Sequence, residues 1–231
     1  MNLEYYRNIK QYITRERSPF FLLAKKYLTA SSKILDVGGG DGYFSEVIER
    51  ADTFILDGNI ETVEKLKEKY LNVNYGKLPT LPYSDNFFNM IHCSHIIEHL
   101  DQEQLYTFLK EADRCLANDG HLIISAPLLW SGFYDDLSHV KPYTTTVLKK
   151  YLSLGNIGCA TRKLVSDKYI IKEEVYRYSY VNEEDSVFFE KTTLPFIPFI
   201  ILYKMTSKVK RILGFRKLEK SAYTLVLQKQ V

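Results

Sequence analysis

Residues 34–45 read Ile-Leu-Asp-Val-Gly-Gly-Gly-Asp-Gly-Tyr-Phe-Ser, and few folds accommodate such a run. A short apolar stretch of strand type carries Asp36 near its end, and glycines follow at 38, 39, 40 and 42. Phe44, Val47, Ile48 and Ala51 then recur at i, i+3, i+4 and i+7, the spacing of a helix with one buried face. Strand, glycine-rich turn and helix in that order bring a ligand against bare backbone. Glycine tolerates positive φ and close approach because it has no Cβ, and the start of a helix leaves N–H groups without intrahelical partners.

The glycine spacing narrows the ligand. A dinucleotide turn, G-x-G-x-x-G, would need its third glycine at position 43, which is Tyr43. No Lys-Ser or Lys-Thr follows to make a phosphate-cradling loop. Acidic Asp36 and Asp41 flank the turn and disfavour a polyphosphate; they suit a ligand with an α-amino group or a sulfonium. A second strand pattern, Thr53-Phe-Ile-Leu-Asp57, ends in another acid 21 positions after Asp36. At about that distance an acid meets ribose hydroxyls in nucleoside-binding α/β folds, as charge-assisted hydrogen bonds. The expected ligand is a nucleoside with a cationic amino-acid tail.

Several segments together resemble the class I S-adenosylmethionine-dependent methyltransferases. Asp36-Val-Gly38-Gly39-Gly40-Asp41-Gly42 resembles their glycine motif, and Leu81-Pro-Tyr-Ser-Asp-Asn-Phe-Phe-Asn-Met-Ile91 their L-P-F-x-D-x-x-F-D-x-V segment. Ser94-His95-Ile-Ile-Glu98-His99-Leu100 is similar to the passage after their fourth strand, and Arg114 to Pro127 to R-x-L-x-x-G-G-x-L-x-I-x-x-P. His139-Val-Lys-Pro-Tyr143-Thr resembles an element of small-molecule, lipid and glycan members. The resemblance spans roughly residues 20–165.

It implies a three-layer α/β/α sandwich around a mostly parallel seven-stranded sheet with an antiparallel edge strand. N-terminal helices and a helical insertion before the last strand complete the expected fold. It implies S-adenosylmethionine as cofactor, with S-adenosylhomocysteine as product. The cofactor would be held by Asp36, Gly38, Gly39, Gly40, Asp41, Gly42, Tyr43, Asp57, Gly58, Lys77, Leu78, Ser94 and His95. Lys77 stands where many members carry an acid, and a lysine accepts no hydrogen bond from adenine. Backbone at Lys77 and Leu78, or another side chain, is expected to serve instead.

At 231 residues the chain fits one α/β domain, 1–231, with a helical cap over 1–30 and an insertion over 182–220. A composition 45% hydrophobic and 26% charged supports a real core and excludes a disordered chain. Cys93, Cys115 and Cys159 have no C-x-x-C spacing and read as reduced thiols of a cytoplasmic protein. No metal-ligand spacing is present, so no metal is expected. The start, Met1-Asn-Leu-Glu-Tyr-Tyr-Arg, has no signal-peptide character. No apolar run is long enough to span a bilayer.

Strands are expected at 33–37, 53–57, 73–75, 89–94, 121–126 and 222–228. Helices are expected in parts of 3–30 and at 43–50, 60–70, 102–116 and 144–153.

Charge is concentrated late in the chain. Residues 204–220 hold seven basic residues against Glu219, a net +6, whereas the whole chain is +3 and the remainder therefore −3. Ile201, Met205, Val209, Ile212 and Leu213 form a helical stripe beside those lysines. Residues 194–217 thus read either as an anchor on anionic lipid, peripheral on the inner membrane face, or as a helix packed on its own domain. Nucleic acid is disfavoured as a partner because the body is net acidic. The oligomeric state is left open.

The expected chemistry is methyl transfer to a small-molecule acceptor, with a lipid-linked or glycan hydroxyl preferred. A hydroxyl must lose a proton, which calls for a base. His95, at the end of the fourth strand of the motif order, stands best placed. His139 and Tyr143, in or near the long loop 128–143, are the acceptor-side candidates, and such loops are often functional. His99 reads as a structural partner of Glu98. The rivals are a non-catalytic cofactor-binding regulator and a nucleic-acid or protein methyltransferase.

Overall fold

The computed structural model describes residues 10–14, 16–153, 162–181 and 217–231, with 202, 205 and 209 singly. The strands are β1 (Lys10–Ile13), β2 (Ile34–Val37), β3 (Phe54–Asp57), β4 (Val73–Tyr75), β5 (Phe88–Ser94), β6 (Leu116–Pro127), β7 (Tyr169–Val181) and β8 (Lys217–Lys229). The helices are α1 (Ser18–Lys25), α2 (Tyr43–Ile48), α3 (Ile60–Lys67), α4 (Gln102–Cys115) and α5 (Thr145–Leu152). Short 3-10 turns lie at Ile97–His99 and Phe133–Asp135.

The sheet order is β1-β7-β8-β6-β5-β2-β3-β4. β2 to β6 run parallel to one another, and β8 runs antiparallel to both β6 and β7. Eight strands replace the expected seven, and the last strand is interior rather than at an edge. Beyond the six strands placed in the sequence, the chain adds β7, which pairs along the outer side of β8, and β1, parallel to β7. The cap expected over 1–30 supplies β1 and a single helix, α1, among the described residues; residues 1–9 lie outside them.

Strand side chains alternate between two faces. Leu35, Val37, Ile91, Cys93, Leu122, Ile124, Leu225 and Leu227 pack with Leu105, Phe108 and Leu109 of α4 and Leu148 and Leu152 of α5. Their neighbours Ile34, Met90, Ile123 and Val226 pack the other way, against Phe21 and Ala24 of α1 and Phe44 and Ile48 of α2. Ile55 takes Val63 and Leu66 of α3. The near-continuous apolar runs of β2, β5 and β6 follow from this burial on both sides, as parallel strands require.

Two polar devices fix the loops. Asp101 caps α4 and Gln104 returns a bond to its backbone, a reciprocal capping box. Arg114, in the last turn of α4, donates to both oxygens of Glu111, to Asp85 and to the carbonyls of Leu81 and Tyr83, which pins the Leu81–Phe88 passage to the helix. Cys93 and Cys115 are buried free thiols. Burial pushes the Cys115 thiol up to about 11. Cys159 and most of the basic insertion lie outside the described residues. Within that insertion Leu202, Met205 and Val209 are helical and 60%, 61% and 52% exposed.

Candidate active site

The glycine turn joins β2 to α2 at the carboxyl edge of the sheet, where open α/β sheets bind ligands. Gly38, Gly40 and Gly42 all have positive φ, at +72°, +54° and +79°. The first and last are also fixed by close packing. A Cβ at Gly38 would stand 2.1 Å from the Ile96 side chain, and one at Gly42 2.8 Å from the Tyr70 ring. Gly40 differs: its Cβ would meet nothing nearer than the Gly38 carbonyl at 3.9 Å, so this glycine faces open space. Gly58, past β3, is similarly open, with the Lys77 chain beside it at 3.7 Å.

Asp57 ties the two open glycines together. One carboxylate oxygen accepts from the Gly40 N–H at 3.1 Å and the other from the Asn59 N–H at 2.8 Å. Each oxygen keeps a second lone pair for a ligand hydroxyl. Asp36 is elsewhere engaged: it is buried, and its Oδ1 lies 2.7 Å from His92 Nδ1, on the α2 face of the sheet. It supports the turn from below, and its carboxylate is closed off from a ligand amino group. Asp41 is exposed, accepts from the Tyr43 N–H at 3.1 Å, and stands 3.4 Å from Arg17. The Arg17 guanidinium lies over the Tyr43 ring at 5.5 Å.

Next to this turn lies a shallow, half-open pocket, lined by Arg17, Phe20 and Phe21 on one side and by Ser94, His95 and Ser125 at the ends of β5 and β6. Arg177 of β7 and Ala222, Tyr223 and Thr224 of β8 complete its lining. Arg177 and Tyr223 were not singled out in the sequence; only a recognised β7 would have placed Arg177 here. Burial and the neighbouring Arg17 charge press the Arg177 guanidinium below its ordinary value. Its Nε is buried without a hydrogen-bond partner, as is the Tyr223 hydroxyl. His95 has φ +57°, a conformation uncommon for a residue with a side chain and concentrated at ligand sites. Its N–H donates to the Ser125 carbonyl at 2.9 Å, which turns the ring off the strand end. His95 Nδ1 lies 3.2 Å from Glu98 Oε1.

The loop after β6 folds back onto this corner. The N–H groups of Val140 and Lys141 donate to the Glu98 carbonyl at 2.8 and 3.2 Å. His139 thereby comes beside His99, ring centres 5.1 Å apart. Tyr143 is buried, and its hydroxyl donates to the Leu100 carbonyl at 2.9 Å. That bond ties the chain just before α5 to Leu100 at the end of the Ile97–His99 turn, and Tyr143 is not among the residues that line the pocket. Glu98, His99 and His139 converge although forty residues separate the two histidines. The sequence spacing gave no sign of this grouping.

The residues fit a nucleoside with a cationic tail: open backbone at Gly40 and Gly58, a carboxylate between them, and a pocket at the neighbouring strand ends. Comparison with known proteins agrees. Residues 35–124 match the family model described as "Methyltransferase domain". An uncharacterised protein of Methanocaldococcus jannaschii is 32% identical over 106 residues, 45% of this chain and 44% of its own length. The chain thus spans under half the length of that curated relative. A SAM-dependent methyltransferase from Archaeoglobus fulgidus superposes with a TM-score of 0.58 at 20% identity over 92% of each chain. The YcgJ protein of Bacillus subtilis gives 0.58 at 16% identity, over 92% of this chain and 98% of its own. Those structures establish the fold. Residues 35–124 thus match a methyltransferase domain, and the chain carries the fold of the S-adenosylmethionine-dependent methyltransferases.

Proposed function

We propose that the chain transfers a methyl group to a hydroxyl of a small acceptor that carries an anionic group, most simply a lipid-linked or glycan acceptor with a phosphate. The observation that carries this reading is the pocket beside the glycine turn, which joins His95 to two guanidiniums, Arg17 and Arg177. When bound, S-adenosylmethionine supplies a methyl group already activated on a sulfonium sulfur.

The protein's part is alignment, exclusion of water and removal of one proton. Gly40 and Gly58 admit the cofactor, and Asp57 takes its ribose hydroxyls. Lys77 and Leu78 flank the adenine side through their backbone. Arg17 and Arg177 fix the acceptor's anion, for which a planar fork is suited. His95 takes the hydroxyl proton, with its Nδ1 turned toward Glu98. His139 acts from the acceptor-side loop, and Tyr143 holds that loop in place.

The lipid-linked form of the acceptor is favoured by the same loop, which exposes Leu129, Tyr134, Leu137 and Val140 at 66%, 65%, 101% and 51%. Among the described residues no helix is long and apolar enough to cross a membrane, so contact with lipid would be at the surface. The test is transfer of labelled methyl from S-adenosylmethionine into fractions of a cell extract. Label is expected in a fraction that binds an anion exchanger, with loss in Asp57→Ala and in His95→Ala. Tight cofactor binding with no label in any fraction would favour a cofactor-binding regulator and overturn catalysis.

A further inference from the structure

We propose that Glu98, His99 and His139 form a site for one divalent transition-metal ion in the turn after β5, where Glu98 stands 3.2 Å from His95. One ligand atom from each residue lies within 4.8 Å of the others. The convergence is built by the backbone: the 3-10 turn Ile97–His99 presents Glu98 and His99, and the Val140 and Lys141 N–H bonds to the Glu98 carbonyl carry His139 onto them. A tetrahedral ion with bonds of about 2.0–2.1 Å holds its ligands roughly 3.4 Å apart, a contraction that side-chain rotations supply.

The protonation pattern is the one an ion requires. His99 Nδ1 lies 3.0 Å from the Ser138 carbonyl, and His139 Nδ1 lies 2.6 Å from the Phe133 carbonyl. A carbonyl only accepts, so both Nδ1 atoms carry the hydrogen, and in the neutral rings both Nε2 atoms offer a lone pair. Donation of Nδ1–H to a carbonyl is how metal-binding histidines are oriented and made more basic.

The independent observation is Glu98. It is 0% exposed, and neither carboxylate oxygen has a hydrogen-bond partner in the described structure. The His95 Nδ1 contact at 3.2 Å is close but poorly aligned. A carboxylate taken out of water without partners is costly, by several kcal/mol on general grounds, and a cation at the histidine pair supplies the missing charge. Exposed Asp136, its Oδ2 3.9 Å from His139 Nε2, offers a fourth oxygen. Two imidazoles and a carboxylate favour zinc, iron, cobalt or manganese over calcium and magnesium.

On the methyl-transfer reading, which this role rests on, the ion would bind the acceptor hydroxyl and lower its pKa, passing the proton to His95. Binding itself can be read without turnover. Untagged, chelator-treated protein is titrated with Co²⁺ and followed by visible ligand-field absorption, with Zn²⁺ as competitor and S-adenosylhomocysteine calorimetry on the same preparation. One equivalent of Co²⁺ is expected, displaced by Zn²⁺. His139→Ala and Glu98→Gln should each weaken it at least tenfold.

His139 lies on a partly exposed loop, so that variant reports even if Glu98→Gln fails to fold. Heat with S-adenosylhomocysteine but no saturable cobalt spectrum overturns the metal site and leaves the methyltransferase reading standing. Cobalt binding that is unchanged in both His99→Ala and His139→Ala also overturns it. Cobalt binding that requires the histidines, with no cofactor heat, upholds the site and removes the reading instead.

Discussion

Asp57 shows how one side chain can belong to fold and site together. Its carboxylate holds the Gly40 and Asn59 amides without a ligand, so the ribose contact proposed for it would be organised in advance. Hydrogen bonds to a charged group are worth about 1.5–3 kcal/mol. Asp57→Ala should therefore weaken S-adenosylhomocysteine by about 10- to 100-fold in calorimetry. Gly42→Ala forces a side chain into left-handed backbone and against Tyr70; a loss of about 1–2 kcal/mol in denaturant melts is expected.

Glu111 gives a pH signature. Hydrogen bonds from the Arg114 guanidinium outweigh partial burial and hold its carboxyl below the usual range. A group more acidic in the folded chain than in the unfolded one stabilises above the unfolded value, about 4.3. That contribution is lost as pH falls through the folded value. Between about pH 5 and pH 3 the wild type should lose melting temperature more steeply than Glu111→Gln. At this scale the glycine turn was legible because its strand, glycines and helix follow one another directly in the chain. The Asp36–His92 pair was not, since it joins two strands 56 residues apart. Glu98 with His139 was hidden for the same reason.

Elements were readable where their signals are local. The Asp101 and Gln104 box announces α4 in four residues, and Asp101→Ala should cost about 1 kcal/mol of stability by denaturant melts. β2 to β6 and all helices from α2 onward fall within a few residues of expectation, because apolar runs alternate with helical stripes. β7 was missed, and its bulge explains why. Pairing with β8 shifts register between Ile171 and Glu173. Before the shift odd-numbered Tyr169 packs on the α4 side, and after it even-numbered Tyr176 does. One extra residue reverses the parity of all that follows, so no single period of two runs through Tyr169–Val181. Missing β7 in turn put β8 at the edge.

For the molecule as a whole, the proposal of a lipid-linked acceptor carries a prediction about anionic surfaces. Seven basic residues crowd 204–220, Leu202, Met205 and Val209 are exposed, and the loop bearing His139 exposes Leu137 fully. Flotation with vesicles containing anionic lipid should recover the protein at low salt. Release by added salt is expected, as is weaker recovery for Leu137→Asp. Recovery equal on neutral vesicles would leave the electrostatic part without support.

The placement of β8 bears on how such a chain comes into being. Everything it joins is made before it: β6 waits on one flank, β7 and β1 on the other. A nascent chain halted near residue 216 would leave ladder groups of β6 unsatisfied, a ready template for aggregation. Ribosome-bound intermediates of this protein should therefore lean on chaperones until β8 emerges and pairs on both its edges.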